Sequence, residues 1–211
     1  MAVDRDGESL VSVGGGADVR RSVLSKPVVG GMTPHEQRLI DRVIAKEGGF
    51  VDHPDDRGGP TNFGITAATL GEWRSMRRPA MAAEVKALSR AEAEQIYLTK
   101  WVRHPSLSLH MLINHAVAWW ALDTAVLFGV SRHRAGRWMQ QAAGGLVLDG
   151  VIGPQSIARI NATPLARMLV RCTRLRMARH CQVVEDQPSQ AVFIEGWTAR
   201  ALSHLDALET P

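Results

Sequence analysis

Residues 33–66 read TPHEQRLIDRVIAKEGGFVDHPDDRGGPTNFGIT, and this stretch decides the fold. Its first half predicts a helix, because Thr33 to Glu36 form a capping box with proline at the first helical position and the apolar residues from Leu39 to Ile44 repeat at helical spacing. Gly48 ends that helix, since glycine accepts left-handed dihedral angles. The second half is rich in Gly, Pro, Asp and Asn, which predicts turns with at most a short β-hairpin.

The remainder of the chain predicts helices and no run of alternating strands. A second capping box, Ser89-x-x-Glu92, opens the first of them. The predicted helices run from Ser89 through Tyr97 to Trp101, from His110 to Phe128, from Ser131 to Ala143, from Thr163-Pro164 to about Glu185, and from about Glu195 to Leu208. The sequence therefore predicts an all-α fold with one short β-hairpin or irregular loop after the first helix.

The composition fits a soluble globular protein of one domain, or of one domain with a small appendage. Of the 211 residues, 45% are hydrophobic and 22% are charged, which excludes collagen-like, low-complexity and fully disordered chains. Two cysteines exclude a disulfide scaffold and the usual four-ligand zinc clusters, and the eight histidines show no convincing ligand spacing. We therefore expect no metal and no cofactor.

The first 32 residues contain six glycines and no helical or alternating pattern, so we predict a flexible N-terminal tail over residues 1–32. Asp4, Asp6 and Glu8 interrupt the start, and no apolar run follows, so we expect synthesis in the cytoplasm without a signal peptide. The uncharged stretch from His104 to Leu122 contains three histidines and an asparagine. It therefore predicts a buried core helix rather than a membrane span.

Glu47 is the first candidate for chemistry. It shares one face of the predicted helix with Ile40, Val43 and Ile44, so the carboxyl group sits where the apolar stripe meets the helix end. Burial and the negative end of the helix dipole both favour the protonated form, which a general acid requires. The alternative is a partly exposed glutamate in a last helical turn.

Two further candidates lie in the loop that follows. Asp56 is nine residues after Glu47, and Thr61 is fourteen residues after it. A helix-end glutamate followed by a turn that carries Asp and Thr suits a hydrolase, because the acid protonates a leaving group while Asp and Thr position water or stabilise positive charge. The alternative is ordinary turn chemistry, in which these side chains bond to nearby backbone amides. Both interpretations can hold together.

The segment from Glu47 to Thr66 resembles the signature of glycoside hydrolase family 108, the N-acetylmuramidases of bacteria and phages. The resemblance extends over about residues 33–203. Further matching segments are Ala93-Glu-Gln-Ile-Tyr97 with Trp101, Leu122-Asp-Thr-Ala-Val126 with Gly129, Trp138-Met-Gln-Gln-Ala142, Asp149-Gly-Val-Ile-Gly-Pro-Gln155, and Gly196-Trp197 with Arg200.

The resemblance implies a lysozyme-like fold that cuts the β-1,4 bond between N-acetylmuramic acid and N-acetylglucosamine. It makes Glu47 the catalytic acid and gives Asp56 and Thr61 supporting catalytic roles. It implies a muramidase catalytic region over residues 33–125 and a helical peptidoglycan-binding-like region over residues 126–208. The predicted substrate-binding residues are Phe50, Asn62, Phe63, Gly64, Thr66, Tyr97 and Asp123.

The second half of the chain is rich in arginine. Between Val126 and Gln182 there are nine arginines, no lysine and one acidic residue, within a chain of net charge +4 and pI of about 9.6. Arg167, Arg171 and Arg174 share one face of a predicted helix. This pattern fits attraction to anionic envelope polymers, and it equally fits a solvated helix face over a core. The segment from Asp149 to Pro154 predicts a tight turn.

The sequence thus predicts a muramidase that acts as a monomer on peptidoglycan glycan strands, a phage endolysin or a bacterial relative. Without a signal peptide, release through a holin-type pore or a secretion system to the periplasm or cell wall is expected. One alternative is an envelope-binding module of the same fold that no longer cuts. Another is a nucleic-acid binder, but no DNA-binding motif is present and we expect no nucleic-acid partner.

Overall fold

The computed structural model describes residues 31–52 and 59–209. These residues form two compact units, an N-terminal unit that ends at Lys100 and a C-terminal unit that begins at Trp101. All but the last two residues of the predicted tail, 1–32, lie outside the described residues, and so does Asp56. None of the helices in the described part of the chain is both long and apolar enough to cross a membrane.

The N-terminal unit consists of short helices and one small antiparallel sheet. Its strands pair Thr61 with Thr66 and Asn62 with Ile65, and Val51 adds an isolated bridge to Thr61. This is the short hairpin that the Gly, Pro, Asp and Asn content predicts. In chain order the elements are α1 (Pro34–Glu47), β1 (Thr61–Asn62), β2 (Ile65–Thr66), α2 (Ala67–Trp73), α3 (Ala82–Lys86) and α4 (Arg90–Tyr97).

Helix α1 forms as its sequence predicts. The Thr33 backbone N–H donates to Glu36 Oε2 at 2.8 Å, and the Glu36 backbone N–H donates to Thr33 Oγ1 at 3.2 Å, which completes the capping box. The apolar stripe from Leu39 to Ile44 is buried, with none of its four side chains more than 3% exposed. The helix ends at Gly48, whose φ of +79° favours glycine. Glu47 is therefore fixed as the last helical residue.

The C-terminal unit is built around its longest helix, α8, which contacts α5, α6 and α9. A π-helical segment at Leu98–Val102 spans the division between the units. The other elements of this unit are a 3-10 turn at Leu109–Met111, α5 (His115–Phe128), α6 (Arg134–Ala143), α7 (Pro154–Asn161), α8 (Leu165–Asp186), a 3-10 helix at Pro188–Phe193, α9 (Ile194–Leu202) and a 3-10 turn at Leu205–Leu208.

Helix α5 is buried around most of its circumference, as a central helix should be. The sequence places its start at His110, which is wrong. Asn114 Oδ1 accepts hydrogen bonds from the backbone N–H groups of Ala116 and Val117, so the helix begins only at His115. Asparagine is a strong N-cap residue, and its presence inside the apolar stretch is the signal for this start.

Three other predicted boundaries differ in detail. Ser131 does not cap α6, because His133 is the N-cap residue and adopts a left-handed conformation. The regular part of the helix that runs towards Trp101 ends at Tyr97 and continues as the π-helical segment. The last predicted helix is α9 followed by a separate 3-10 turn. The all-α class itself is confirmed.

The segment from Asp149 to Pro154 is a tight turn, as the sequence predicts. The buried amide of Gln140 holds it, since its Nε2 donates to Asp149 Oδ1 at 2.7 Å and to the Val151 carbonyl at 3.1 Å. Its Oε1 accepts from the Gly150 backbone N–H at 2.8 Å. A Cβ added to Gly136 would lie 2.1 Å from the Gly150 carbonyl oxygen, so glycine is required where the turn packs on α6.

The core of the C-terminal unit includes a column of stacked rings around His180. The imidazole is fully buried and stacks on Phe128 at 5.7 Å and on Trp197 at 5.2 Å between ring centroids. Among the described residues neither ring nitrogen has a hydrogen-bond partner. Burial, with the charges of Arg176 and Arg179, lowers the pKa of His180 from 6.5 to about 4.

Candidate active site

The turn of the hairpin is the centre of the candidate site. Phe63 and Gly64 connect β1 to β2, and their φ angles are +53° and +74°. A two-residue loop with two positive φ angles is typical of a type I′ turn, which matches the right-handed twist of the strands. Phenylalanine rarely adopts this conformation, so other contacts must hold the turn in place.

Gly64 lies against two of the predicted site residues at once. A Cβ built on Gly64 would be 2.7 Å from Tyr97 Oη and 2.8 Å from both Cβ and Cγ of Glu47. Real side chains do not approach so closely, so the backbone of the turn can reach Glu47 only because residue 64 is glycine. The structure therefore brings together Glu47, Gly64 and Tyr97, which are 17 and 33 positions apart in the sequence.

Tyr97 is the contact that fixes the turn. Its side chain is fully buried, and its hydroxyl group donates a hydrogen bond to the Phe63 carbonyl oxygen at 2.9 Å. A buried carbonyl group without such a donor would be costly, so the tyrosine stabilises the strained turn. In this setting Tyr97 supports the site from behind and does not present its ring to a substrate.

Glu47 is half-buried, at the point where the apolar face of α1 ends. Its methylene groups pack on the turn of the hairpin. A carboxyl group in this position can exchange a proton with a ligand that lies along the hairpin. Asp56 belongs to residues 53–58, which are outside the described residues, so its role stays a prediction.

The other loop residues mainly build the hairpin. Thr61 exchanges two backbone hydrogen bonds with Val51, at 2.8 and 2.9 Å. Asn62 is buried, and its Nδ2 donates to the carbonyl groups of Val85 and Lys86 at the end of α3. Thr66 is the N-cap residue of α2, where its Oγ1 accepts from the Thr69 backbone N–H. These contacts stabilise the hairpin, and the roles of the Asp56 and Thr61 side chains stay predictions.

Two aromatic residues remain partly open to solvent beside the hairpin. Phe50 and Phe63 are both half-buried. The Lys86 ammonium group lies 5.8 Å from the centroid of the Phe50 ring, which is within cation–π range. Partly exposed aromatic rings beside the hairpin suit the apolar faces of sugar rings.

Asp123 has a different setting, within the C-terminal unit. Its side chain is fully buried and its Oδ2 accepts from Arg176 Nη1 at 2.6 Å and from His204 Nε2 at 3.0 Å. Its Oδ1 accepts from Arg200 Nη2 at 2.8 Å. Such a carboxylate is committed to neighbouring cations, so this position does not offer it to a substrate. The predicted substrate-binding role corresponds here to a structural one.

Electrostatics keep this aspartate ionised. Burial by itself would raise the pKa of Asp123, but the hydrogen bond with His204 and the charges of Arg176 and Arg200 hold that pKa well below its usual range. Burial lowers the pKa of Arg176, and the Asp123 charge opposes that change. Arg176 is one of the nine arginines that the sequence groups as a charged surface, yet it is fully buried.

Metal chemistry has no candidate centre in residues 31–52 and 59–209. These ranges contain no group of three or more His, Cys, Asp or Glu side chains that could hold a metal ion. Cys172 is buried and Cys181 is exposed, and neither forms a disulfide.

An all-α fold in which a glutamate at a helix end meets a short β-hairpin defines a lysozyme-like protein. The model of glycosyl hydrolase 108 matches residues 40–129, and the model of the predicted peptidoglycan domain matches residues 134–202. The solved structure of SagA from Brucella abortus is 31% identical, with a TM-score of 0.67 over 82% of this chain and 92% of that chain. No curated protein sequence matches.

The chain therefore belongs to glycosyl hydrolase family 108 and carries a peptidoglycan-binding-type domain. It is a lysozyme-like hydrolase that acts on peptidoglycan, and its place of action is the cell wall. The Glu47, Gly64 and Tyr97 contacts lie inside the glycosyl hydrolase match. The boundary between the predicted regions 33–125 and 126–208 stays a prediction.

Proposed function

We propose that this protein is an N-acetylmuramidase, which hydrolyses the β-1,4 bond between N-acetylmuramic acid and N-acetylglucosamine with Glu47 as the catalytic acid. One observation carries the proposal. The Glu47 side chain packs on the Gly64 backbone at the turn of the hairpin, and Tyr97 holds that turn through Phe63. A catalytic carboxyl group needs such fixed surroundings, because proton transfer depends on its position.

In the proposed reaction, Glu47 donates its proton to the glycosidic oxygen as the bond to the anomeric carbon breaks. The sugar ring passes through an oxocarbenium-like transition state, and water supplies the new hydroxyl group at the anomeric carbon. If the reaction retains configuration, Glu47 regains its proton from the water that hydrolyses the covalent glycosyl-enzyme. If it inverts configuration, Asp56 accepts the proton of the attacking water and Glu47 is reprotonated from solvent. Asp56 is the proposed second carboxylate, and Thr61 is proposed to assist in positioning water.

The distance between the two carboxyl groups decides the stereochemistry. A separation of about 5–5.5 Å between Glu47 and Asp56 would favour retention through a covalent intermediate, whereas about 6.5–9.5 Å would leave room for water and favour inversion. Both routes use Glu47 as the acid. The proposal therefore depends on Glu47 and leaves the stereochemistry to measurement.

Six of the seven predicted substrate-binding residues lie in the N-terminal unit, and they fall into three groups. Phe50 and Phe63 are half-exposed beside the hairpin, and we assign them the contact with sugar rings. Asn62, Thr66 and Tyr97 are buried, and we assign them the support of the hairpin backbone. Gly64 provides the close approach to Glu47. This division accounts for the appearance of all six in one short region of the N-terminal unit.

The biological setting is also part of the proposal. The family includes enzymes of bacteria and phages, so the protein is an endolysin or a bacterial relative. Release by a holin-type pore or by a secretion system would bring it to the periplasm or cell wall. Glycan strands of peptidoglycan are the proposed partner, with anionic envelope polymers as a further partner of the arginine-rich part.

The products identify the bond. Purified protein is incubated with purified sacculi, and the soluble fragments are analysed by mass spectrometry before and after reduction. Reducing-end N-acetylmuramic acid is the expected product. Reducing-end N-acetylglucosamine would instead define a glucosaminidase, and anhydro-muramic ends would define a transglycosylase. Binding to sacculi without any released fragment would support the envelope-binding module of the same fold.

A further inference from the structure

A groove of about 340 Å³ lies on the C-terminal unit, between α6 and α8. Its lining residues are Gln141, Ala142, Arg171, Arg174, Leu175 and Ala178. The groove is inside the segment that matches the peptidoglycan domain, and it contains none of the residues assigned to catalysis. We therefore consider which ligand this groove could bind.

Two arginines form the polar wall of the groove. Arg171 lines the groove, and its Nη1 donates to the Ala142 carbonyl oxygen at 3.0 Å, which fixes the guanidinium group while its other N–H donors are left for a ligand. Arg174 follows three positions later on the same helix, so both groups project from the same face of α8. Anchoring restricts the Arg171 side chain, and this lowers the entropy cost of binding a ligand.

These two positive charges have no carboxylate partner among the described residues. The sequence between Val126 and Gln182 offers a single acidic residue, Asp149, whose carboxylate is bonded to Gln140 and to the Val151 backbone N–H. Guanidinium groups pair with carboxylates through two parallel hydrogen bonds. The two arginines therefore favour a ligand that carries carboxylate groups.

The rest of the groove is mostly apolar. Ala142, Leu175 and Ala178 supply methyl and methylene groups beside the arginines, and Gln141 supplies an amide that can both donate and accept. This surface suits a short peptide with small side chains, an amide backbone and free carboxylates. A phosphate polymer offers no methyl groups for the apolar part of the groove.

We propose that this groove binds the stem peptides of peptidoglycan, with Arg171 and Arg174 pairing with their free carboxylates. Stem peptides are rich in alanine and carry carboxylates, so both parts of the groove have a counterpart in them. The inference rests on the proposed function, because it takes peptidoglycan as the common ligand. It adds a peptide contact made by residues of the C-terminal unit, none of which is assigned to catalysis.

The test uses a soluble muramyl tripeptide, which contains no β-1,4 bond and so reports binding without cleavage. Calorimetric titration of the full chain is expected to show binding that weakens about tenfold or more in Arg174→Gln, as loss of a charge-assisted hydrogen bond predicts. Amidation of the peptide carboxylates is expected to weaken binding by the wild type equally. Arg171→Gln is the second variant, and thermal unfolding verifies that each variant is folded.

Arg167→Gln is the matched control, because it removes the same charge from an exposed position one turn before Arg171 on the same helix face, and Arg167 does not line the groove. It is expected to change the dissociation constant less than about twofold. Equal losses in Arg167→Gln and Arg174→Gln would overturn the proposal in favour of diffuse attraction. Unaltered binding of the amidated peptide would overturn it too, as would full displacement of the peptide by a phosphate polymer of the envelope.

The two experiments together distinguish failure of the groove proposal from failure of the proposed function. If sacculi release no reducing ends while the tripeptide binds and responds to Arg174→Gln, the proposed bond cleavage is wrong and the groove is right. If sacculi are cut while the tripeptide fails to bind, the groove proposal is wrong and the proposed hydrolase activity is supported.

Discussion

The methylene groups of Glu47 lie against the α-carbon of Gly64, so the end of α1 and the turn of the hairpin form one packed unit. Tyr97 reaches the same glycine from α4 and bonds to the neighbouring Phe63 carbonyl group. The position of the carboxyl group is therefore set by three segments that are far apart in the sequence. A disturbance of any of the three is expected to reach Glu47.

Gly64→Ala is expected to reduce the turnover of sacculi about 100-fold, because a misplacement of the acid by about 1 Å costs that much. The added methyl group would overlap Tyr97 Oη and the Glu47 side chain, and an L residue at φ of +74° is itself strained. We expect the free energy of unfolding to fall by about 1–3 kcal/mol. Reducing-end release and chemical unfolding measure the two effects.

Two neighbouring glycines provide the controls for that variant. Gly59 also has a positive φ but no atom within 4 Å of an added Cβ, and Gly49 has open space without a positive φ. Gly59→Ala should therefore show strain without the overlap, and Gly49→Ala should show neither. If Gly64→Ala retained full activity, the packing of Glu47 on the turn would have no catalytic importance.

Tyr97→Phe removes the hydroxyl group that holds the Phe63 carbonyl while keeping the buried ring. The free energy of unfolding is expected to fall by about 1 kcal/mol, the usual net contribution of one hydrogen bond. Because the residue acts through the turn, kcat should fall several-fold with KM unchanged. A raised KM at unchanged kcat would instead make Tyr97 a substrate-binding residue, as the sequence predicts.

Asp123→Asn is expected to lower the free energy of unfolding by about 3–5 kcal/mol, because it leaves Arg176 buried without its carboxylate partner. Glu185→Gln, at an exposed position of α8, is the control and should change it by less than about 0.5 kcal/mol. Since the pKa of Asp123 is lowered by folding, its contribution is complete above the ordinary value near 3.8 and is lost as the pH falls below that value. A small loss in Asp123→Asn would show that the ion cluster is dispensable.

His180 makes stability depend on pH in a higher range. Its pKa is about 4 in the folded protein against an ordinary 6.5, so between these values the unfolded chain binds the proton and the folded chain does not. The free energy of unfolding should therefore decrease as the pH falls from 7 to 4, by about 3 kcal/mol from this residue. His180→Phe keeps a ring between Phe128 and Trp197 and should flatten that slope. An unchanged slope in denaturant titrations across this range would contradict the assignment.

Local signals in the sequence are sufficient to predict the secondary structure of much of the N-terminal unit. The capping box at Thr33, the apolar stripe after it and Gly48 together define α1, because each acts within one or two helical turns. The hairpin follows from turn residues in the same way. The position of Glu47 at the helix end, and so its candidacy as an acid, is a consequence of these local rules.

Such local rules do not predict contacts between residues that are far apart in the sequence. Arg176 and Asp123 are 53 positions apart, and nothing in the periodicity of α8 separates this buried arginine from its exposed neighbours Arg171 and Arg174. The packing of Tyr97 behind the turn likewise depends on tertiary structure, and its substrate-binding role stays a prediction. Asn114 is a local signal for the start of α5, but the long apolar stretch around it favours an earlier start at His110.

The most direct measurement compares the wild type with Glu47→Gln for the release of reducing ends from purified sacculi. The substitution keeps the shape of the side chain and removes its acid, so the rate is expected to fall by several powers of ten. Glu72→Gln, an exposed glutamate of the same unit, should leave the rate unchanged. Near-wild-type release by a folded Glu47→Gln variant would contradict the assignment of Glu47 as the catalytic acid.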